Sequence, residues 1–88
     1  MTPKQRKALR ERAHDLQPAV MIGKNGLTEE VEKAVETALA ASGLIKIRFI
    51  GFKQERHEIS AKIAEKALAE IVDIIGNVLI LYREIEED

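Results

Sequence analysis

Ile22-Gly23-Lys24-Asn25-Gly26-Leu27-Thr28 stands between an apolar run, Ala19-Val20-Met21-Ile22, and an amphipathic segment that opens at Thr28. The run before it is rich in β-formers and the segment after it has helical periodicity, so the stretch reads as a strand-to-helix connector. Thr28 is a good N-cap, with Glu29 and Glu30 favourably placed in the first turn. Val31, Ala34, Val35, Ala38 and Leu39 recur at i, i+3, i+4, i+7 and i+8, the apolar face of a helix, which Gly43 ends as its C′ residue.

Downstream, Leu44 to Ile50 alternates. Ile45, Ile47 and Phe49 point to one face of a strand, and Lys46 and Arg48 to the other. Gly51 ends it, and Phe52-Lys53-Gln54-Glu55-Arg56 forms a polar connector. A third helix is predicted from about Glu58 to Leu68, with Ile59, Ile63, Ala67 and Leu68 inward. Two apolar runs follow, Glu70 to Ile75 and Val78 to Arg83, separated by the two-residue hairpin signal Gly76-Asn77. That signal makes Ile71 to Ile75 a strand. Upstream, Pro3 suits a first helical turn, and Lys4 to Leu16 holds good helix formers with Leu9, Ala13 and Leu16 in one narrow stripe. The order is therefore α-β-α-β-α-β-β. This is an α/β (α+β) domain with a four-stranded mixed sheet, and its two β-α-β units place helices 2 and 3 on one sheet face.

Eighty-eight residues make one domain with a single modest core. No cysteine is present, which excludes a disulfide framework, a thiolate metal site and a cysteine nucleophile. The N-terminus has no apolar segment after its charges, and no apolar run approaches the roughly 20 residues that span a bilayer. The expectation is a cytoplasmic protein with no membrane partner. The net charge of −1 conceals an asymmetry. Residues 1–26 carry six Lys or Arg against Glu11 and Asp15, a local +4, while the rest carry eight against thirteen acids, a local −5. Charges beyond a Debye length of about 8 Å are largely screened, so a polyanion would feel the positive end alone.

Catalysis finds no support. His14 and His57 have no neighbouring His or Cys at metal-ligand spacing, and Ser42 and Ser60 lack a nucleophile-elbow context. The loop is not a P-loop, which would need glycine at Pro18 and Ser or Thr at Asn25. No catalytic residue, metal ligand, cofactor or small-molecule substrate is expected. The glycine loop offers a different chemistry, because a side-chain-poor backbone admits an anion closely. Lys24 adds a charge, Asn25 both donates and accepts hydrogen bonds, and a Gly-x-x-Gly loop clamps nucleic-acid backbone in KH modules. Alone the motif is weak: at about 7% glycine, chance supplies it in roughly a third of chains this long. The first helix strengthens it, because only Glu11 lies among its five cations Lys4, Arg6, Lys7, Arg10 and Arg12. Their repulsion goes largely unanswered without a polyanion. Phe49 reads as core and Tyr82 as core with its hydroxyl at the surface. Phe52 reads as a core plug or a base-stacking ring. So few aromatics disfavour a stacking platform and leave backbone recognition.

Several motifs in order match a known family. Leu16-Gln17-Pro18, Ile22-Gly23-Lys24-Asn25-Gly26-Leu27-Thr28, Leu44-Ile45-Lys46-Ile47-Arg48-Phe49, His57-Glu58-Ile59 and Ile75-Gly76-Asn77-Val78-Leu79-Ile80-Leu81-Tyr82-Arg83 together resemble the CRM (chloroplast RNA splicing and ribosome maturation) domain. The family includes stand-alone bacterial RNA-binding proteins of about this length. The resemblance implies a fold similar to the C-terminal domain of bacterial translation initiation factor three, and association with precursors of the large ribosomal subunit. It also implies that Gly23, Lys24, Asn25 and Gly26 contact RNA. Lys4, Arg6, Lys7, Arg10, Lys46, Arg48 and Lys53 complete the candidate interface. The expected boundaries are a CRM-like domain at 1–84 and an acidic tail at 85–88, and the expected state is a monomer whose partner is ribosomal RNA. The alternative is a protein-interaction module that offers the basic first helix to an acidic partner. One departure concerns Ala67-Leu68-Ala69, which lacks the glycine expected near the end of the third helix.

Overall fold

The computed structural model describes residues 1–85; the expected acidic tail, Ile85 apart, lies outside the described residues. Its elements are α1 (Pro3–Ala13), β1 (Val20–Ile22), α2 (Glu29–Ser42), β2 (Leu44–Phe49), α3 (Arg56–Ala67), β3 (Glu70–Ile75) and β4 (Val78–Tyr82). The sheet order is β1-β2-β4-β3. β1 pairs parallel to β2, while β4 is antiparallel to both β2 and β3. The sheet is mixed, as the closing hairpin requires, and β4 inserts between the two strands that α3 connects.

Apolar alternation decides the layers. Ile45, Ile47 and Phe49 of β2, with Leu79 and Leu81 of β4, pack against Val35 and Leu39 of α2 and Ile63 and Ala67 of α3. Leu44, Val72 and Ile80 point the other way and pack against Leu9 and Ala13 of α1. The result is three layers, α2 and α3 on one face and α1 on the other.

Element ends have identifiable causes. Thr2 and Gln5 form a capping box, Thr2 N donating to Gln5 Oε1 at 2.9 Å and Gln5 N to Thr2 Oγ1 at 3.1 Å. Thr28 caps α2 by accepting from Val31 N at 3.2 Å. Beyond β4, Arg83 bonds the Glu36 carboxylate of α2 (2.9 Å) and the Ala67 carbonyl ending α3 (2.9 Å), so one side chain joins three elements. Its hydrogen bond holds the Glu36 carboxyl below the ordinary range.

Three local expectations need correction. α1 stops at Ala13 rather than Leu16, and Leu16, past the helix end, is 39% exposed. Ala34 is exposed, because the buried stripe of α2 narrows to Val35 and Leu39, with Val31 and Ala38 half-buried. Leu68 does not face inward. It is the left-handed C-cap of α3 (φ 53°), 84% exposed, and it turns the chain from helix into β3 without a glycine.

Candidate nucleic-acid interface

Three connectors converge at one end of the sheet. β1 and β2 run parallel, and β4 starts beside the end of β2, so the β1–α2 loop, the β2–α3 loop and the β3–β4 hairpin share that end. The first is a tight turn, Gly26 N donating to Gly23 O at 3.0 Å, with Lys24 and Asn25 exposed at its tip. Gly26 needs its glycine: φ is +69°, a region L side chains rarely adopt. Gly23 differs, since a β-carbon there would meet nothing within 4 Å. Its bareness leaves the approach to the turn open. Gly23, Lys24, Asn25 and Gly26 border an open cleft of about 510 Å³ with Thr28, Glu29, Glu30 and Val31.

Phe52 holds this turn from below. It is half-buried against the main core, and its Cζ would lie 3.6 Å from a Gly26 β-carbon. That favours the core-plug reading over base stacking. Its φ of +54° is an outlier for a bulky residue. Lys53 follows directly, so it shares the sheet end with Lys24.

The other candidates divide. Lys4, Arg6 and Lys7 lie exposed on α1, across the sheet from α2 and α3, and form no ion pair among the described residues. Arg10 bonds Asp73 of β3 at 3.2 Å, and Lys46 donates to the His14 carbonyl at 3.0 Å. Both serve partly to dock α1 on the sheet. Arg48 is exposed near the loop end of the sheet, aligned with Met21 and Val78 one row before the final Ile22–Phe49 pair. The cations thus lie on the sheet end and the α1 face, whereas α2 presents Glu29, Glu30, Glu32 and Glu36. Sequence reasoning missed Arg56 and Asn77, which line a second cleft with Gly51, Lys53 and Gly76. Among the described residues no three His, Cys, Asp or Glu side chains stand together as a metal site would need, and no helix is long and apolar enough to cross a membrane.

The CRS1 / YhbY (CRM) domain model matches residues 1–83. This chain belongs to the CRM family. The CRM domain here is 42% identical over 89 residues to an RNA-binding protein of Haemophilus influenzae, covering 99% of this chain and 89% of that protein. A protein of Methanocaldococcus jannaschii, named as a probable RNA-binding protein, is 37% identical over 86 residues; the match covers 94% of this CRM domain and 63% of the archaeal chain. The solution structure of a Staphylococcus aureus protein, described as a candidate RNA-binding protein, superposes with a TM-score of 0.85 at 32% identity. It covers all of this chain and 93% of that one.

Proposed function

We propose that this CRM domain binds RNA without catalysing a reaction on it. It grips the sugar–phosphate backbone through the Gly23–Gly26 turn and the free cations of α1, as a cytoplasmic monomer acting in assembly of the large ribosomal subunit. The observation that carries the reading is the turn itself: Lys24 is exposed at its tip, without an ion pair among the described residues, beside a glycine that leaves the approach open. Two relatives bear RNA-binding names, and the exposed cations Lys4, Arg6 and Lys7 of α1, without ion pairs among the described residues, favour an anionic partner. The ribosomal assignment rests on the family resemblance.

Fluorescence anisotropy of a labelled, structured fragment of large-subunit ribosomal RNA, titrated at several salt concentrations, tests it, with duplex DNA of similar charge as control. RNA-preferring binding whose log K falls linearly with log salt is expected. The Lys24→Ala variant should bind several-fold more weakly with an unchanged Tm. Equal binding to RNA and DNA reduces the site to a generic cationic patch. Failure to bind either at low salt overturns the reading in favour of an acidic protein partner for α1. Sedimentation of the tagged protein with large-subunit precursors, rather than with mature subunits, tests the assembly role.

A further inference from the structure

The cleft between the β2–α3 loop and the hairpin differs in charge from the one beside the glycine turn. Phe49, Gly51, Lys53, Arg56, Gly76 and Asn77 line it, enclosing about 390 Å³. Two cations face it and no acid does, whereas the Gly23–Gly26 cleft sets Lys24 against Glu29 and Glu30. Neither Lys53 nor Arg56 has an ion pair among the described residues. The Arg56 Nε is buried without a hydrogen-bond partner, which holds the stem of the guanidinium against the protein. The other guanidinium nitrogens of Arg56 and the Lys53 ammonium are donors able to give an anionic oxygen in the cleft charge-assisted bonds.

The cleft is also built rather than incidental. Phe49 N donates to Asn77 O at 2.7 Å, and Asn77 Nδ2 donates to Phe49 O at 3.2 Å, so the hairpin tip is fixed to the end of β2. Glycines at 51 and 76 leave two walls without side chains; a β-carbon at either would meet nothing within 4 Å. Phe52 connects this cleft to the glycine turn, its ring against Gly26 and its backbone next to Lys53.

We infer that the Lys53–Arg56 cleft is a second phosphate subsite for the RNA strand held at Lys24, so that the domain grips one backbone at two points on either side of Phe52. This rests on the RNA reading above. The α2 glutamates repel phosphate at the first point, and the cation pair at the second supplies attraction the turn lacks.

The test uses single-stranded oligoribonucleotides of increasing length and the full chain. In the Lys53→Gln/Arg56→Gln double variant, loss of two phosphate contacts should reduce the slope of log K against log salt by about 1.4, at roughly 0.7 per single-strand contact. Since Arg56 opens α3, a second pair of variants guards against misfolding. Gly76 has φ +58°, a conformation that Asn and Asp tolerate better than other side chains. Gly76→Asp should lose tenfold or more in affinity and Gly76→Asn, of the same shape, little. If wild type binds neither the oligonucleotides nor the structured ribosomal RNA fragment, the RNA reading falls and this subsite with it; binding to the structured fragment alone overturns the single-strand grip and leaves the RNA reading standing. If Lys24→Ala weakens binding while the double variant keeps the wild-type slope and Gly76→Asp matches Gly76→Asn, the subsite is overturned and the RNA reading stands. Weakening of inorganic phosphate binding alone, with RNA affinity intact, equally overturns the two-point grip.

Discussion

The ring of Phe52 lies against Gly26, close enough that a β-carbon on the glycine would stand 3.6 Å from Cζ. A residue from the β2–α3 loop thereby sets the height of the turn that presents Lys24. The positive φ of Phe52 costs about 1–2 kcal/mol, and burial of the ring against the core offsets it. Phe52→Ala keeps the backbone strain and loses the ring, so stability should fall by about 2 kcal/mol in urea unfolding. Amide exchange at Lys24, Asn25 and Gly26 should quicken beyond what global destabilisation explains. Exchange there that follows the global change alone would show the turn to be independent of Phe52.

Two glycines should rank in a set order of cost. At Gly26 a methyl group meets only the Phe52 ring at an ordinary contact distance, so Gly26→Ala should cost about 1–2 kcal/mol from its φ alone. At Gly43, φ is +73° and a β-carbon would lie 2.9 Å from the Arg83 carbonyl oxygen, which is backbone and cannot swing aside. The same pair is bonded, Arg83 N to Gly43 O at 2.8 Å. Gly43→Ala should therefore cost more than Gly26→Ala, about 3 kcal/mol. Denaturation midpoints in the reverse order would refute the geometry.

Leu68 holds a left-handed C-cap with its side chain 84% exposed. Replacing it by glycine relieves about 1–2 kcal/mol of conformational cost and forfeits little packing, against about 0.5–1 kcal/mol of added unfolded-state entropy. Leu68→Gly should raise stability by up to about 1 kcal/mol, seen as a rise in Tm of several degrees. A fall in Tm would mean that the exposed side chain makes a stabilising contact.

Leu68 also marks where sequence reading stops. Patterns with a strong local period were legible: the alternation of Ile45, Ile47 and Phe49, the Thr28 cap, the Gly76-Asn77 hairpin and the Gly-x-x-Gly turn all take the expected form. The end of α3 falls within one residue of the expected Leu68, but the outward turn of that leucine was not legible, because a left-handed leucine leaves no residue-type signal. The start of α3 was late by two residues, since Glu55 makes no side-chain cap. α1 was too long because Leu16 continues the apolar spacing past the last helical residue. The Lys53–Arg56 cleft was invisible for another reason. It forms where Asn77 bonds Phe49 across 28 residues, and no local pattern encodes that contact.

The Glu36–Arg83 pair should give the stability curve an acid limb. Glu36 accepts from Arg83, and that hydrogen bond lowers its carboxyl pKa in the folded chain. A group whose folded pKa is depressed contributes stability above its unfolded value, about 4.3 for Glu. That contribution is lost as pH falls through the lower folded value. Wild type should thus exceed Glu36→Gln in unfolding free energy at pH 7, and the gap should close below about pH 4. At low ionic strength the gap should widen, because the pair is solvent-exposed and salt screens it. Lys66 runs the opposite way: bonded to Glu32 at 2.8 Å, its pKa is raised, so its contribution holds through neutral pH and is lost only as pH rises through that raised value. An acid limb that persists unchanged in Glu36→Gln would place the titrating carboxylate elsewhere.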